Sequence, residues 1–110
     1  MIEDTIGKIE ANIKATDAIK EDRRRELLEL VGTLKSEVAN LSHTNSEQAQ
    51  SIAGFAQVST HEATRADQKP DLLKLSLQGL KSSVQELEQT HPRLVQIVNS
   101  ISNTLSNLGI

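Results

Sequence analysis

The chain has 110 residues and a net charge of −3, which allows one domain with a modest core and is small for a self-contained enzyme. It has no cysteine, so disulfides, thiolate zinc sites and thiol catalysis are excluded. Leu, Ala, Glu, Lys, Gln and Ser dominate, with two prolines and one aromatic residue, and this balance indicates an all-α protein.

The first predicted element is an accessory helix over residues 1–15. Its apolar side chains alternate in spacings of four and three: Ile2, Ile6, Ile9 and Ile13. The segment lacks the apolar core of a signal peptide, and no window approaches the ~18 apolar residues of a membrane span. We therefore expect a cytoplasmic protein without a membrane partner. A short break follows, with Thr16 or Asp17 as the N-cap of the next helix.

Residues 18–66 are predicted to form the first arm of a long helical hairpin. The same spacing runs through Leu27, Val31, Leu34, Val38, Leu41, Asn45, Gln48, Ile52, Phe55, Ser59 and Glu62. A phase kept this long is typical of a coiled-coil-like helix. Thr44 and Glu47 have capping-box spacing, so Thr44 or Ser46 could start a new helix. The unbroken phase favours continuation, and whether residues 43–46 break or only bend the helix stays open.

Residues 70–108 are predicted to form the second arm. Pro70 disfavours helix at the residue before it and suits the first turn of the helix that follows. The repeat then runs through Leu73, Leu77, Leu80, Val84, Leu87, His91, Leu94, Val98, Ile101, Leu105 and Leu108. It crosses Pro92 without losing register, and Gly109 is expected to end the helix.

Folding the chain at the turn before Pro70 matches the two apolar stripes. Positions whose numbers sum to about 136 then pair, which sets Leu27 opposite Leu108 and Phe55 opposite Leu80. At 1.5 Å per residue the antiparallel hairpin would be roughly 60 Å long. The prediction is a single helical domain over 1–110.

The apolar stripes are wider than a two-helix seam needs. The additional residues are Leu28, Leu30, Leu72, Leu75, Val95 and Ile97. Two helices alone would leave this surface in water. The accessory helix can cover part of it, and a second copy of the chain is expected to cover the rest. The chain should therefore assemble into a homodimer or a larger oligomeric helical bundle.

A polar layer interrupts the predicted seam. Asn45 and Gln48 lie opposite His91 in this register, and buried polar groups need partners. Such a layer can fix register and oligomeric state.

An alternative is a metal site. Glu88-x-x-His91, with Glu47 from the other arm, resembles the ligand spacing of carboxylate-bridged bundles. Only His91 falls on the seam, while both glutamates flank it. We therefore favour the polar layer and expect neither a metal nor another cofactor.

The segment from Thr90 to Pro92 is predicted to be a joint. Proline interrupts the helical hydrogen bonding, and Thr90 is a suitable N-cap before it. We expect a bend near residues 90–92 that keeps register, with His91 in the polar layer.

Two further segments suggest binding surfaces. Arg23–Arg25 is flanked by acidic residues, which indicates a solvated helix face with local ion pairs. Nucleic-acid binding there is disfavoured, because a wider basic surface and stacking aromatics are missing. Residues 46–65 are rich in small side chains. Ala49, Ala53, Phe55 and Ala56 are the candidate face, which forms either a tight helix contact or a docking face for another copy or another protein.

No nucleophile–base–acid set and no glycine-rich phosphate loop is present, so no enzymatic activity is expected. The segments LEQTHPRL and RRRELLELVGTLKSEV, and the ending LSNLGI, resemble a family of short, uncharacterised bacterial all-helical proteins. The resemblance implies a small helical bacterial protein, and because that family has no established activity, no functional residue carries over. The function expected from the sequence is a non-enzymatic structural or protein-interaction module that associates with itself.

Overall fold

The computed structural model describes residues 2–108, which confirm the all-α prediction. The helices are α1 (Ile2–Ala15), α2 (Glu21–Ser42), α3 (Ser46–Thr64), α4 (Pro70–Val84) and α5 (Pro92–Leu108), with a 3-10 turn at Gln85–Leu87. Gly109, expected to end the last helix, lies outside the described residues.

The predicted length of the helical hairpin is wrong. The molecule measures 37 × 24 × 22 Å, far less than the expected length of roughly 60 Å. Helix α2 alone has 22 residues and is therefore about 33 Å long. Helices α2 and α3 cannot be collinear in a molecule of this size. Each expected arm consists of two helices in contact with each other, so the chain turns back within each arm.

The first reversal lies at residues 43–45, and Asn45 marks its end. The Asn45 side chain accepts a hydrogen bond from the backbone N–H of Gln48 at 3.2 Å, which makes Asn45 the N-cap of α3. Neither Thr44 nor Ser46 has that role. The Thr44 hydroxyl instead donates to the carbonyl of Leu41 at 3.2 Å, at the end of α2. The apolar repeat favoured one helix continuing through residues 43–46, and this prediction is wrong.

The second reversal lies between Leu87 and Pro92. The His91 N–H donates to the Leu87 carbonyl at 2.8 Å, and the His91 carbonyl accepts from Val95 N–H at 3.2 Å. The His91 backbone thus serves both the end of one helix and the start of the next, a role expected of Thr90. Pro92 begins α5, where a missing N–H costs nothing. The chain reverses here instead of bending.

The connection from α1 to α2 also differs from expectation. Lys20 occupies the N-cap position of α2 without a side-chain cap bond. Thr16 accepts a hydrogen bond from the N–H of Ala18 at 3.1 Å and so stabilises the loop. Neither Thr16 nor Asp17 caps α2. Glu21 and Asp22 in its first turn complement the positive end of the helix dipole.

Helices α2 to α5 form a four-helix bundle with α1 packed on one side. Helix α2 contacts α3 and α5, helix α4 contacts the same two, and α1 lies against α2 and α3. Helix α3 contacts all four other helices and is the centre of the molecule. The contacts of α2 with α5 and of α3 with α4 join the segments that the sequence register paired.

One chain covers most of its own apolar surface. The largest fully buried side chains come from every α-helix: Ile6, Ile9, Ile13, Leu27, Val31, Leu34, Leu41, Ile52, Leu80, Leu94, Ile101 and Leu105. Four of the residues expected to need a second copy are partly buried against this core: Leu28, Leu30, Val95 and Ile97. Leu72 and Leu75 stay exposed. The apolar surface left for a partner is therefore much smaller than the sequence suggested.

Candidate functional site

Four large apolar side chains stay exposed within residues 2–108. They are Phe55 and Val58 on α3, with 41% and 48% exposure, and Leu72 and Leu75 on α4, with 45% and 64%. These four residues are called the α3–α4 strip below. Single exposed apolar residues are normal in proteins, whereas a contiguous apolar surface indicates an interaction site.

A close approach between Phe55 and Gly79 sets the geometry of the strip. The Phe55 ring occupies the space that a Cβ on Gly79 would need. From there Val58 lies about one turn farther along α3, while Leu75 and Leu72 lie about one and two turns back along α4. Because α3 and α4 are in contact and joined by residues 65–69, they run in opposite directions. Both sets therefore extend the same way from Phe55, and the four side chains form one strip.

The strip ends at a group of paired charges. Glu62 is 8% exposed, and its carboxylate forms an ion pair with Arg65 at 3.0 Å and lies 3.8 Å from the His61 ring. In the loop that follows, Lys69 pairs with Asp67 at 3.0 Å. Each of these two ion pairs is neutral as a unit.

The alanines expected on a partner face are not available to a partner. Ala49, Ala53 and Ala56 are each at most 1% exposed. They belong to α3, which four other helices surround, and small side chains let those helices approach closely. The docking interpretation is wrong for these three residues and the tight helix contact is correct. Phe55 alone of that group is on the surface.

The predicted polar layer is not assembled as expected. Asn45 is exposed and caps α3. Gln48 is half-buried, and its side-chain amide donates to the carbonyl of Ser83 on α4. His91 is half-buried with Nδ1 3.0 Å from the Thr90 hydroxyl. In the part of the chain that the structure describes, no hydrogen bond joins His91 to the other two. Each residue instead serves a helix end or a neighbouring helix.

The alternative metal site is not formed by this fold. Glu47 and Glu88 are both exposed. Across residues 2–108 the structure brings together no group of three or more His, Asp or Glu side chains that could hold a metal ion. The Glu-x-x-His spacing lies in the connection before α5, where the helix is interrupted, so its members do not project together into a bundle core.

The arginine run is structural at its centre. The Arg24 guanidinium donates to the carbonyls of Lys14 at 3.3 Å and Ile19 at 3.0 Å, and also to that of Ile13. Ile13 and Lys14 are in the last turn of α1, where carbonyls lack helical partners. Arg24 therefore caps α1 from α2. Arg23 lies 3.6 Å from Glu26 as a surface ion pair, in agreement with the solvated face expected.

A groove between α4 and α5 was not anticipated from the sequence. It is open to solvent and has a volume of about 460 Å³. The α4 side carries Lys74, Gln78 and Lys81, and the α5 side carries Ser102, Asn103 and Ser106. We call it the α4–α5 groove. The spacing of Lys74 and Lys81, seven residues apart on one helix flank, was the signal available in the sequence.

Comparison with known proteins gives one match. A family model described as a domain of unknown function (DUF4404) matches residues 27–110, about three quarters of the chain. No curated protein and no solved structure matches. None of the described helices is both long and apolar enough to cross a membrane.

Proposed function

The chain belongs to the DUF4404 family of domains of unknown function, and we propose that it is a non-catalytic module that binds a second copy of itself through the α3–α4 strip. One observation carries the proposal. Phe55, Val58, Leu72 and Leu75 are 41–64% exposed and lie together on two adjacent helices. Removing apolar surface from water contributes about 25 cal/mol per Å², so two strips in contact stabilise a dimer.

The surroundings of the strip suit contact with an identical surface. In a two-fold dimer the same patch of each copy meets the other, so an unbalanced charge would face its own kind. Glu62 is paired with Arg65, and Asp67 with Lys69. On the same two helices Ser51 and Ser82 are exposed and Gly54 is half-buried, and all three are small and uncharged. The charges of the four paired side chains therefore cancel in pairs and do not oppose self-association.

The expected dimer is weak. A standard interface covers about 800 Å² on each partner, and four partly exposed side chains can supply only its apolar centre. We expect a dissociation constant in the micromolar range or weaker, since the contacts around the apolar centre add complementarity more than binding energy.

Sedimentation velocity over a micromolar to millimolar concentration range tests the proposal. The unaltered chain should show a concentration-dependent shift from monomer to dimer. Leu75→Glu places a charge at the most exposed position of the strip and should abolish the shift. Ser36→Glu makes the same change in net charge on an exposed position of α2 and should leave it intact.

Two results would overturn the proposal. One is an unaltered chain that stays monomeric throughout the range. The other is a Leu75→Glu variant that dimerises as well as the Ser36→Glu control. Leu75 is 64% exposed and contributes little to the core, so the Leu75→Glu variant should fold. Circular dichroism of all three proteins checks that each is folded.

A further inference from the structure

We propose that the α4–α5 groove binds a small amphiphilic anion, in which a carboxylate or phosphate head is attached to a hydrocarbon chain. The site lies on the flank of α4 away from the α3–α4 strip and is independent of self-association. Its volume of about 460 Å³ falls in the usual range of ligand sites, about 300–1,000 Å³.

The charge of the groove favours an anion. Lys74 and Lys81 both line it, and neither forms an ion pair with another residue of the described chain, 2–108. Helix α5, which forms the opposite wall, contains no aspartate or glutamate. Both lysines are exposed, in a protein whose net charge is −3. The groove is therefore locally positive, although the chain as a whole is negative.

The two lysines can act on one head group. Seven residues separate them, which is about 10 Å along the helix, and their flexible four-carbon stems allow both ammonium groups to converge above Gln78. Gln78 and Asn103 line the same groove and offer amide N–H donors. These donors suit an oxyanion, which accepts several hydrogen bonds at once.

A buried hydroxyl in the wall strengthens this assignment. Ser102 lines the groove and is 1% exposed. Its Oγ has no hydrogen-bond partner among the residues that the structure describes. A buried polar atom without a partner is costly, and such atoms are rare in native proteins. A rotation about χ1 can turn this hydroxyl toward a ligand in the groove.

The remaining wall is apolar. Pro70, Leu73 and Leu77 line the groove on the α4 side, and the small side chains of Ser102 and Ser106 opposite leave space beside them. A hydrocarbon chain can pack against this wall while its head group meets the lysines. This combination of a cationic rim and an apolar wall defines the ligand as an amphiphilic anion.

Isothermal titration with decanoate, decyl phosphate, inorganic phosphate and decanol tests the inference. Decanoate and decyl phosphate should bind with a stoichiometry of one, and decanol should bind at least about tenfold more weakly. Inorganic phosphate distinguishes a free oxyanion from an oxyanion attached to a hydrocarbon chain. If inorganic phosphate binds in addition to the two amphiphiles, the site also takes free oxyanions. If only the amphiphiles bind, the hydrocarbon chain is required for binding. Either result supports the site. Absence of saturable binding by decanoate and decyl phosphate would overturn it, whatever inorganic phosphate does, as would equal binding of decanol.

Charge variants locate the binding. Lys74→Gln/Lys81→Gln removes both charges and should weaken decanoate binding by about tenfold or more. Lys20→Gln/Lys35→Gln makes the same change in net charge at exposed positions on other segments and should bind as the unaltered chain does. Equal weakening in both double variants would show that overall charge, not this groove, attracts the anion.

The unpartnered serines provide a second matched pair. Ser59 on α3 has a buried hydroxyl without a partner, as Ser102 does, but it does not line the groove. Both Ser102→Ala and Ser59→Ala should leave the unliganded protein as stable as before or more stable. Only Ser102→Ala should reduce the rise in Tm that decanoate produces. An undiminished rise in Ser102→Ala, or an equal reduction in Ser59→Ala, would exclude the hydroxyl from the site.

Discussion

The ring of Phe55 on α3 lies in the space that any side chain at Gly79 on α4 would fill. Phe55 is still 41% exposed, so part of the ring lies against Gly79 while the rest meets solvent. A glycine inside a helix costs stability, and at Gly79 this cost is offset by close contact between α3 and α4. The contact also sets the position of the α3–α4 strip.

Substitution of Gly79 should show this coupling. A Cβ at Gly32 would meet nothing within 4 Å, so Gly32→Ala should raise the free energy of unfolding by about 0.5–1 kcal/mol. Gly79→Ala should lack this gain, because the added methyl group displaces the Phe55 ring. In a Phe55→Ala background the gain should return. Urea unfolding followed by far-ultraviolet circular dichroism measures the unaltered chain, the three single variants and the double variant, and an equal gain at both glycines in the presence of Phe55 would disprove the coupling.

Arg24 should be far more important for stability than its neighbour. Its guanidinium serves the end of α1 and is 17% exposed, and hydrogen bonds to charged groups contribute about 1.5–3 kcal/mol. Arg24→Ala should therefore lower the free energy of unfolding by about 2 kcal/mol and speed hydrogen exchange in α1. Arg25→Ala removes the same charge from an exposed position and should change stability little. Similar losses in the two variants would contradict the capping role.

The cap of α3 can be tested at Asn45. Loss of an asparagine N-cap costs about 0.5–2 kcal/mol, and Asn45→Ala should reduce the free energy of unfolding by that amount. Asn40 is exposed within α2, so Asn40→Ala is the matched control and should be neutral or slightly stabilising. Equal effects at the two positions in chemical denaturation would mean that the side-chain bond to Gln48 contributes nothing.

Enlarging Ala56 should disturb the core and not a partner surface. Ala56 is 1% exposed on the central helix, and inserting methylene groups into a packed core typically costs 1–3 kcal/mol. Ala56→Leu should therefore destabilise the monomer by about 2 kcal/mol. Ala11→Leu at an exposed position of α1 should not. A stable Ala56→Leu variant with altered oligomeric state would restore the interpretation of this face as a docking surface.

The repeat of apolar residues predicted the buried faces well and their connectivity poorly. Ile6, Leu34 and Leu105 are buried as their spacing indicates. The same phase, however, ran across residues 43–45 and 88–91, where the chain turns back. Periodicity reports which side of a helix is apolar. A short loop can return the next helix to the same phase, so an unbroken repeat does not show an unbroken helix.

The candidate sites depended on contacts between distant segments. Arg24 is one of three adjacent arginines in the sequence, and only the approach of α1 shows that its partners are carbonyls. Lys74 and Ser102 are far apart in the chain, so their groove depends on the packing of α4 against α5. The sequence placed Phe55 on the same candidate face as its alanine neighbours. The packing of the other helices around α3 buries the alanines and leaves Phe55 on the surface.

The sequence by itself determined the helical class, the buried face of every helix except α3 and the absence of thiol chemistry, because these follow from local spacing and composition. The tertiary structure decided where the helices end, which small residues are enclosed and which apolar and cationic groups remain on the surface. Those outcomes depend on the sum of many packing contacts between segments distant in the chain. A pattern read along one helix contains no information about them until the neighbouring helices are in place.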